Sequence, residues 1–413
     1  MAQTSTKLWN KDFIMLTIGQ VISLFANGIL RFALPLHILF VSDSPELMGR
    51  VMAFSFIPAL VVTPIGGALA DRFNKKRIIV FLDFFTAAIT FIYLWTIGFL
   101  SIVPITVIAL MLFSAIKGMM SSATDASIPL LVPADELVRA NSVTMTINTL
   151  SMLLAPMLGG VLLTGFGLEA ILIVSGVCLA LAAAMEIFIR IPCVTQESSG
   201  NMFMDVLRDV GDGLRFAVKE KPIIAKILLV LVTFQFILPG VGLIGVPVLI
   251  TQNLGMDGRM VGISQGIVGA GGIAGGILVG VLGQKLRIQM GHWPICIIGI
   301  LVIPMGLVFF IPTNAFFAYS VITAIMFIAM GAATVFTIQL MTFFQLITPV
   351  ELLGKMMSLV MLAAIASQPL GNWLMGILLE QFADNSWIIL FASAVLTIVV
   401  GLWARVYFKG IRQ

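Results

Sequence analysis

Apolar runs, each near the roughly 20 residues one helix needs to cross a bilayer, recur almost from end to end of this chain. Short stretches holding Pro, Gly, Asn or charge separate them. Of the 413 residues 60% are hydrophobic and 10% charged, against roughly 25% charged in ordinary soluble domains. Such a surface faces lipid rather than water. The expected class is therefore an all-α integral membrane protein.

Hydropathy places six spans in the first half, near Phe13–Leu36, Leu47–Ala70, Ile78–Leu100, Pro104–Leu130, Val143–Gly165 and Leu168–Ile189. Six more follow near Ile223–Ile250, Met260–Gly283, Trp293–Ile311, Ala315–Ile347, Gly354–Leu379 and Trp387–Phe408. From Pro192 to Pro222 the apolar pattern breaks. There Phe203, Val206, Leu207, Val210, Leu214 and Phe216 recur at helical spacing among charged residues, as in an amphipathic helix lying on a membrane face. The expected layout is a six-helix bundle over 1–191, a linker over 192–221 and a second six-helix bundle over 222–413.

Basic residues fix the expected orientation, because short loops rich in Lys and Arg stay in the cytoplasm. Lys7 and Lys11, Arg72 to Arg77, Arg139, the linker, Lys285 and Arg287, Lys355, and Arg405 to Arg412 fall on one side. Asp43, Glu46, Glu169, Asp257, Glu380 and Asp384 fall mainly on the other. Both termini are thus expected in the cytoplasm of a bacterium, with the chain in its inner membrane. The net charge of +4 then reflects loop placement and gives no reason to expect a nucleic-acid partner. Cys178, Cys193 and Cys296 lie in different segments without a CxxC pair, which argues against a disulfide framework or a metal site. The first apolar stretch is too long for a signal peptide and lacks a small-residue cleavage site, so it is expected to remain in the mature protein.

The halves echo each other. Gly67 to Arg72 closes the second span and Gly280 to Lys285 the eighth; Pro133 before the fifth is answered by Pro349 before the eleventh, and Pro156 to Gly159 by Pro369 to Gly371.

At this point the residues resemble the major facilitator superfamily. GALADRFNKK, from Gly67 to Lys76, is similar to the family loop G-x-L-a-D-r-x-G-r-K/R, with Asn74 in place of the second glycine; Asn tolerates the left-handed backbone that glycine supplies. The resemblance implies a cytoplasmic gate at Gly67, Asp71, Arg72, Lys75 and Lys76, with Asp71 facing the N-terminal end of the eleventh helix. Ser151, Ala155, Pro156, Gly159 and Gly160 in the fifth span resemble the antiporter motif G-x-x-x-G-P-x-x-G-G, two glycines having become Ser151 and Ala155. All those positions remain small, so close helix approach survives. Asp83, the stretch LLVPADELVRANS from Leu130, and DVGDGLRFAVKEKPII from Asp209 resemble the macrolide-efflux and enterobactin-exporter branch. That implies secondary transport of an amphipathic drug-like or siderophore-like molecule, coupled to protons, by a monomer working through alternating access without a cofactor. A lysophospholipid flippase of the same superfamily is the competing reading. A membrane-embedded sensor or enzyme is the reading from another class, and the missing nucleophile, HExxH and phosphate-loop signatures count against it.

Polar residues inside spans face a bundle interior or a wet cavity, because lipid cannot solvate them. Gln20, Ser23, Asn27 and Arg31 recur on one face of the first span; Ser114, Lys117, Ser121 and Thr124 do so on the fourth, and Asn141, Thr144, Asn148 and Ser151 on the fifth. From these faces Gln20, Asn27, Arg31, Lys117, Ser121 and Asn148 are expected to line the substrate cavity. Gln235, Gln339 and Gln345 are expected to join them from the second half, which holds no charge deep in a span. Lys117 lies about 12 Å along the axis from Asp125, too far to pair directly, and is read as free to meet an anionic or zwitterionic substrate. Asp83 and Asp125 are either proton carriers or structural partners of Arg72 and Arg139. Glu186 is read as interfacial.

Overall fold

The computed structural model describes residues 8–192, 202–283, 288–311 and 314–409. Lys7, Cys193, Lys285, Arg287 and Arg412 lie outside them, as do the side chains of residues 63–72, including Gly67, Asp71 and Arg72. The described chain is helical without a strand: α1 (Lys11–Ser42), α2 (Pro45–Arg72), α3 (Lys75–Thr96), α4 (Ile102–Asp125), α5 (Leu137–Glu186), α6 (Met202–Arg215), α7 (Pro222–Gly240), α8 (Gly258–Leu282), α9 (His292–Leu307), α10 (Ala315–Ile347), α11 (Leu353–Gln381) and α12 (Ser386–Lys409). All but α6 are long and apolar enough to cross a membrane. Helix α5 carries two spans, because Gly167 sits at φ 78° and breaks it without a polar loop. A Cβ there would meet nothing, so the residue serves the backbone angle and not a tight contact. Twelve spans result among the described residues, the count expected from hydropathy.

Local signals explain several boundaries. The side chain of Asn74 accepts a hydrogen bond from the Arg77 N–H and starts α3, with φ at −63°. Asn74 therefore stands in the family loop as a helix cap, and the left-handed backbone expected for it is not used. Asp257 and Asn314 cap α8 and α10 in the same way. Beyond Gly240 helix α7 continues through π-helical turns at Val241–Gly245 and Leu249–Asn253, where Pro239 and Pro247 withdraw backbone donors.

The chain divides into two units, one of residues 1–41 and 54–203, the other of residues 42–53 and 204–413. In the first, α3 packs on α5 and α4. In the second, α9 packs on α12 and α10, α8 on α10, and α7 on α11. The third span thus pairs with the sixth and fourth, as the ninth pairs with the twelfth and tenth, which is the sequence echo seen as architecture. The two units repeat one arrangement of packed, apolar helices.

Lipid offers no hydrophobic drive for helices to associate, so close backbone approach at small residues carries much of the packing. In the second unit a Cβ on Gly371 would collide with the Phe236 carbonyl, one on Gly271 with the Phe327 carbonyl and one on Gly275 with the Gly331 carbonyl. The start of α2 belongs to this unit: Glu380 accepts hydrogen bonds from the Ser44 hydroxyl and, at 2.9 Å, the Glu46 N–H, and Gly49 packs on the Asn372 carbonyl. The linker joins it too, since Asp212 pairs with Lys355 Nζ at 2.6 Å and Phe216 and Ala217 enter the same core as Ile224, Phe234 and Phe336. On the lipid side Trp95, Phe99, Val281 and Val406 are exposed.

Candidate functional site

The charged interior lies in the first unit, and α1 organises it. Ser151 donates to the Leu24 carbonyl at 3.0 Å, and Gly28 lies so close to Ala155 that an added Cβ would come within 2.6 Å of that side chain. Gly159 packs on Phe32 and Ile29. The small residues of the antiporter-like segment therefore hold α5 against α1, while Pro156 stands inside α5 and Gly160 is buried. Behind this contact the polar stripes are tied to their own helices: Asn27 Nδ2 donates to the Ser23 carbonyl at 2.9 Å, and Asn148 Nδ2 to the Thr144 carbonyl at 3.0 Å.

Two of the predicted cavity residues come together across helices. Arg31 on α1 and Lys117 on α4 are near enough for their positive charges to repel, and among the described residues neither takes part in a salt bridge. Gln20 and Asn27 are half-buried on the α1 face, whereas Ser121 and Asn148 are exposed. Ser121 donates to Asp125 Oδ2 over a long 3.4 Å. Of the two alternative partners named for the acids, Arg139 pairs with Glu136 at 3.2 Å, and the side chain of Arg72 lies outside the described residues.

Asp83 lies in a different setting, 1% exposed, with the Ser23 hydroxyl donating to its Oδ2. Beside it, within hydrogen-bonding reach, is Glu186. Glu186 is 2% exposed, so its reading as an interfacial residue is overturned: at the last turn of α5 it turns inward, into space that Gly19 leaves on α1. Sequence reasoning missed this acid because a charge near a span end usually reaches water. The available signal was its place in the otherwise apolar stretch ALAAAMEIFI, at the end of a span whose polar neighbours include Ser23.

The second unit offers amides. Gln235 is half-buried and Gln345 exposed. Gln339 is buried with Oε1 unpartnered, and fully buried Asn372 has neither side-chain atom hydrogen-bonded. At the gate segment Lys75 is buried and Lys76 half-buried. The cysteines Cys178 and Cys296 are free thiols, and among the described residues no His, Cys, Asp and Glu cluster suits a metal ion.

Twelve apolar spans in two repeated bundles, with polar groups gathered inside them, define a membrane transporter of the inverted- or parallel-repeat kind. Residues 16–347 match the Major Facilitator Superfamily, and the chain belongs to that family. It is accordingly a transporter and not an enzyme. It is 24% identical over 397 residues to macrolide efflux protein A of Streptococcus pyogenes, covering 95% of each chain. Over 154 residues, 36% of each chain, it is 31% identical to the enterobactin exporter EntS of Citrobacter koseri. Among solved structures it resembles the nucleoside transporter NupG, with a TM-score of 0.76 at 14% identity over 96% of this chain and 100% of that one. A bacterial homologue of the lysosomal transporter Spinster in an inward-facing, occupied conformation gives 0.73 at 15% identity, over 98% and 97%.

Proposed function

We propose that this protein is a proton-coupled exporter that moves an anionic or zwitterionic amphipathic small molecule out of a bacterial cell by alternating access, with both termini in the cytoplasm. The observation that carries the reading is the Arg31 and Lys117 pair. A lone charge at mid-membrane costs about 2.5–3.5 kcal/mol even on the mildest scales. Arg31, half-buried, and Lys117, exposed, repel each other on neighbouring spans without an acidic partner among the described residues, so both gain from a counter-charge. An anionic group on the substrate supplies it. Gln20, Asn27, Ser121 and Asn148 would add neutral hydrogen bonds from the first unit, and Gln235, Gln339 and Gln345 from the second. The efflux relatives support the direction. Asp83 and Asp125 would carry the protons, and Gly67, Asp71, Arg72, Lys75 and Lys76 would form the cytoplasmic gate.

Transport in proteoliposomes under an imposed pH gradient, screened over macrolides, catecholate siderophores and lysolipids, tests this. Uphill movement of the anionic siderophore that collapses with the gradient is expected, and transport of the cationic macrolides alone would overturn the anionic-substrate reading. Transport of lysolipid alone would install the flippase reading, and transport indifferent to the gradient would remove the coupling.

A further inference from the structure

The reading above leaves Glu186 unused, yet it is one of two carboxyl groups buried together in the first unit. Two ionised carboxylates cannot hydrogen-bond each other, because both only accept. Within bonding reach, one of them must hold a proton. The geometry says which. Asp83 receives the Ser23 hydroxyl, a donor suited to a carboxylate, whereas Glu186 Oε2 is buried without a partner, where a charged oxygen would be far costlier than a neutral one.

Among the described residues the groups around the pair offer no cation. On α1, Gly19 and Ser23 face it, and Asp12 further along accepts from the Arg190 N–H at 2.9 Å. On α3, Lys75, Lys76 and Arg77 lie at the start of the helix, six or more residues from Asp83, about 9 Å along the axis at the nearest. On α4, Lys117 is exposed and feels the Arg31 charge, and Asp125 takes Ser121. Among the described residues none of these is salt-bridged to Asp83 or Glu186.

We propose that Asp83 and Glu186 form a single-proton site in which Glu186 carries the proton, Asp83 accepts it, and the packing of α1 on α3 and α5 depends on its being there. On release the Glu186 O–H bond breaks, its electron pair stays on the oxygen and the proton passes to water as hydronium. Two adjacent carboxylates are left. Their repulsion is relieved only by admitting water or by moving Gly19 and Ser23 of α1 away, so proton loss opens the site and rebinding closes it. As the step that couples protons to transport, this rests on the proton-driven reading above.

Two measurements separate the ideas. Infrared spectra of the protein in lipid nanodiscs at neutral pH should contain a carboxylic-acid C=O band that shifts in D2O. Glu186→Gln and Asp83→Asn, whose amides replace the shared proton by an N–H donor, should each lose it. In proteoliposomes with a radiolabelled catecholate siderophore, the same variants should lose all stimulation of uptake by a pH gradient. Should the amide variants not fold, Gly19→Ala leaves both acids in place, drives a methyl toward Glu186 Oε1 and should shift the band. A wild-type protein without the band, or an E186Q protein that keeps gradient-driven uptake, overturns the pair. A wild-type protein with the band but without gradient-driven siderophore transport overturns its coupling role and the exporter reading, while the shared proton stands.

Discussion

The two units share a helix arrangement and differ in what they bury. The first buries Asp83 and Glu186 and carries half-buried Arg31 and exposed Lys117 on neighbouring helices, whereas the second buries amides such as Gln339 and Asn372 and packs glycine on carbonyl at Gly271, Gly275 and Gly371. One architecture thus serves two tasks. Charge is concentrated where α1, α3, α4 and α5 are held by a few specific contacts, and in the proposed exporter it is this charge that meets ligand and proton. Close backbone packing, which tolerates no added atom, dominates where no charge has to move.

Four tests sharpen or break that contrast. Lys117→Ala removes a charged contact, which at roughly 1.5–3 kcal/mol should weaken apparent substrate affinity about 10- to 100-fold in proteoliposome uptake, with membrane expression intact. Gln235→Ala in the second unit, losing at most a neutral hydrogen bond of about 0.5–1.5 kcal/mol, should cost roughly 2- to 10-fold. Equal losses in the two units would break the comparison.

Gly275→Ala places a methyl on the Gly331 carbonyl, while the neighbouring Gly276 has open space. Thermal unfolding in detergent should show the first destabilised by about 1–3 kcal/mol and Gly276→Ala unchanged or stabilised by up to ~1 kcal/mol through helix propensity. A fall of similar size in both would mean that α8 and α10 do not meet there.

Asn372→Leu removes two unpartnered polar atoms from a fully buried site of the second unit. Unsatisfied groups cost about 1–3 kcal/mol each, so the variant should be at least as stable as the wild type by the same assay. A marked loss of stability would show that Asn372 makes a polar contact the unit depends on.

The smallest effect is at the linker. Its Lys355 partner holds the Asp212 carboxyl below the ordinary aspartate range, with Arg208 and Arg215 adding to the pull. Because the native value is depressed, the contact contributes fully above the unfolded value of about 3.9 and is lost as pH falls through the lower native one. Crosslinking of introduced cysteines at the α6 and α11 ends should therefore be flat from neutral pH to about 4 and decline only below it. Loss near neutrality would remove Asp212 as the tether.

By itself the sequence determined the solvent, the number of spans and the repeat. Apolar length and the cost of unsolvated polar groups act locally, so they are written in consecutive residues. GALADRFNKK and the Ser151 to Gly160 segment carried the family for the same reason. Tertiary structure alone decided which polar residues meet. Ser23 and Asp83 are 60 positions apart, and Glu186 reaches them only because α5 turns at Gly167 and Gly19 leaves room on α1. Whether a charge at the end of a span reaches water or a partner depends on the neighbouring helices' shape, which no local pattern encodes.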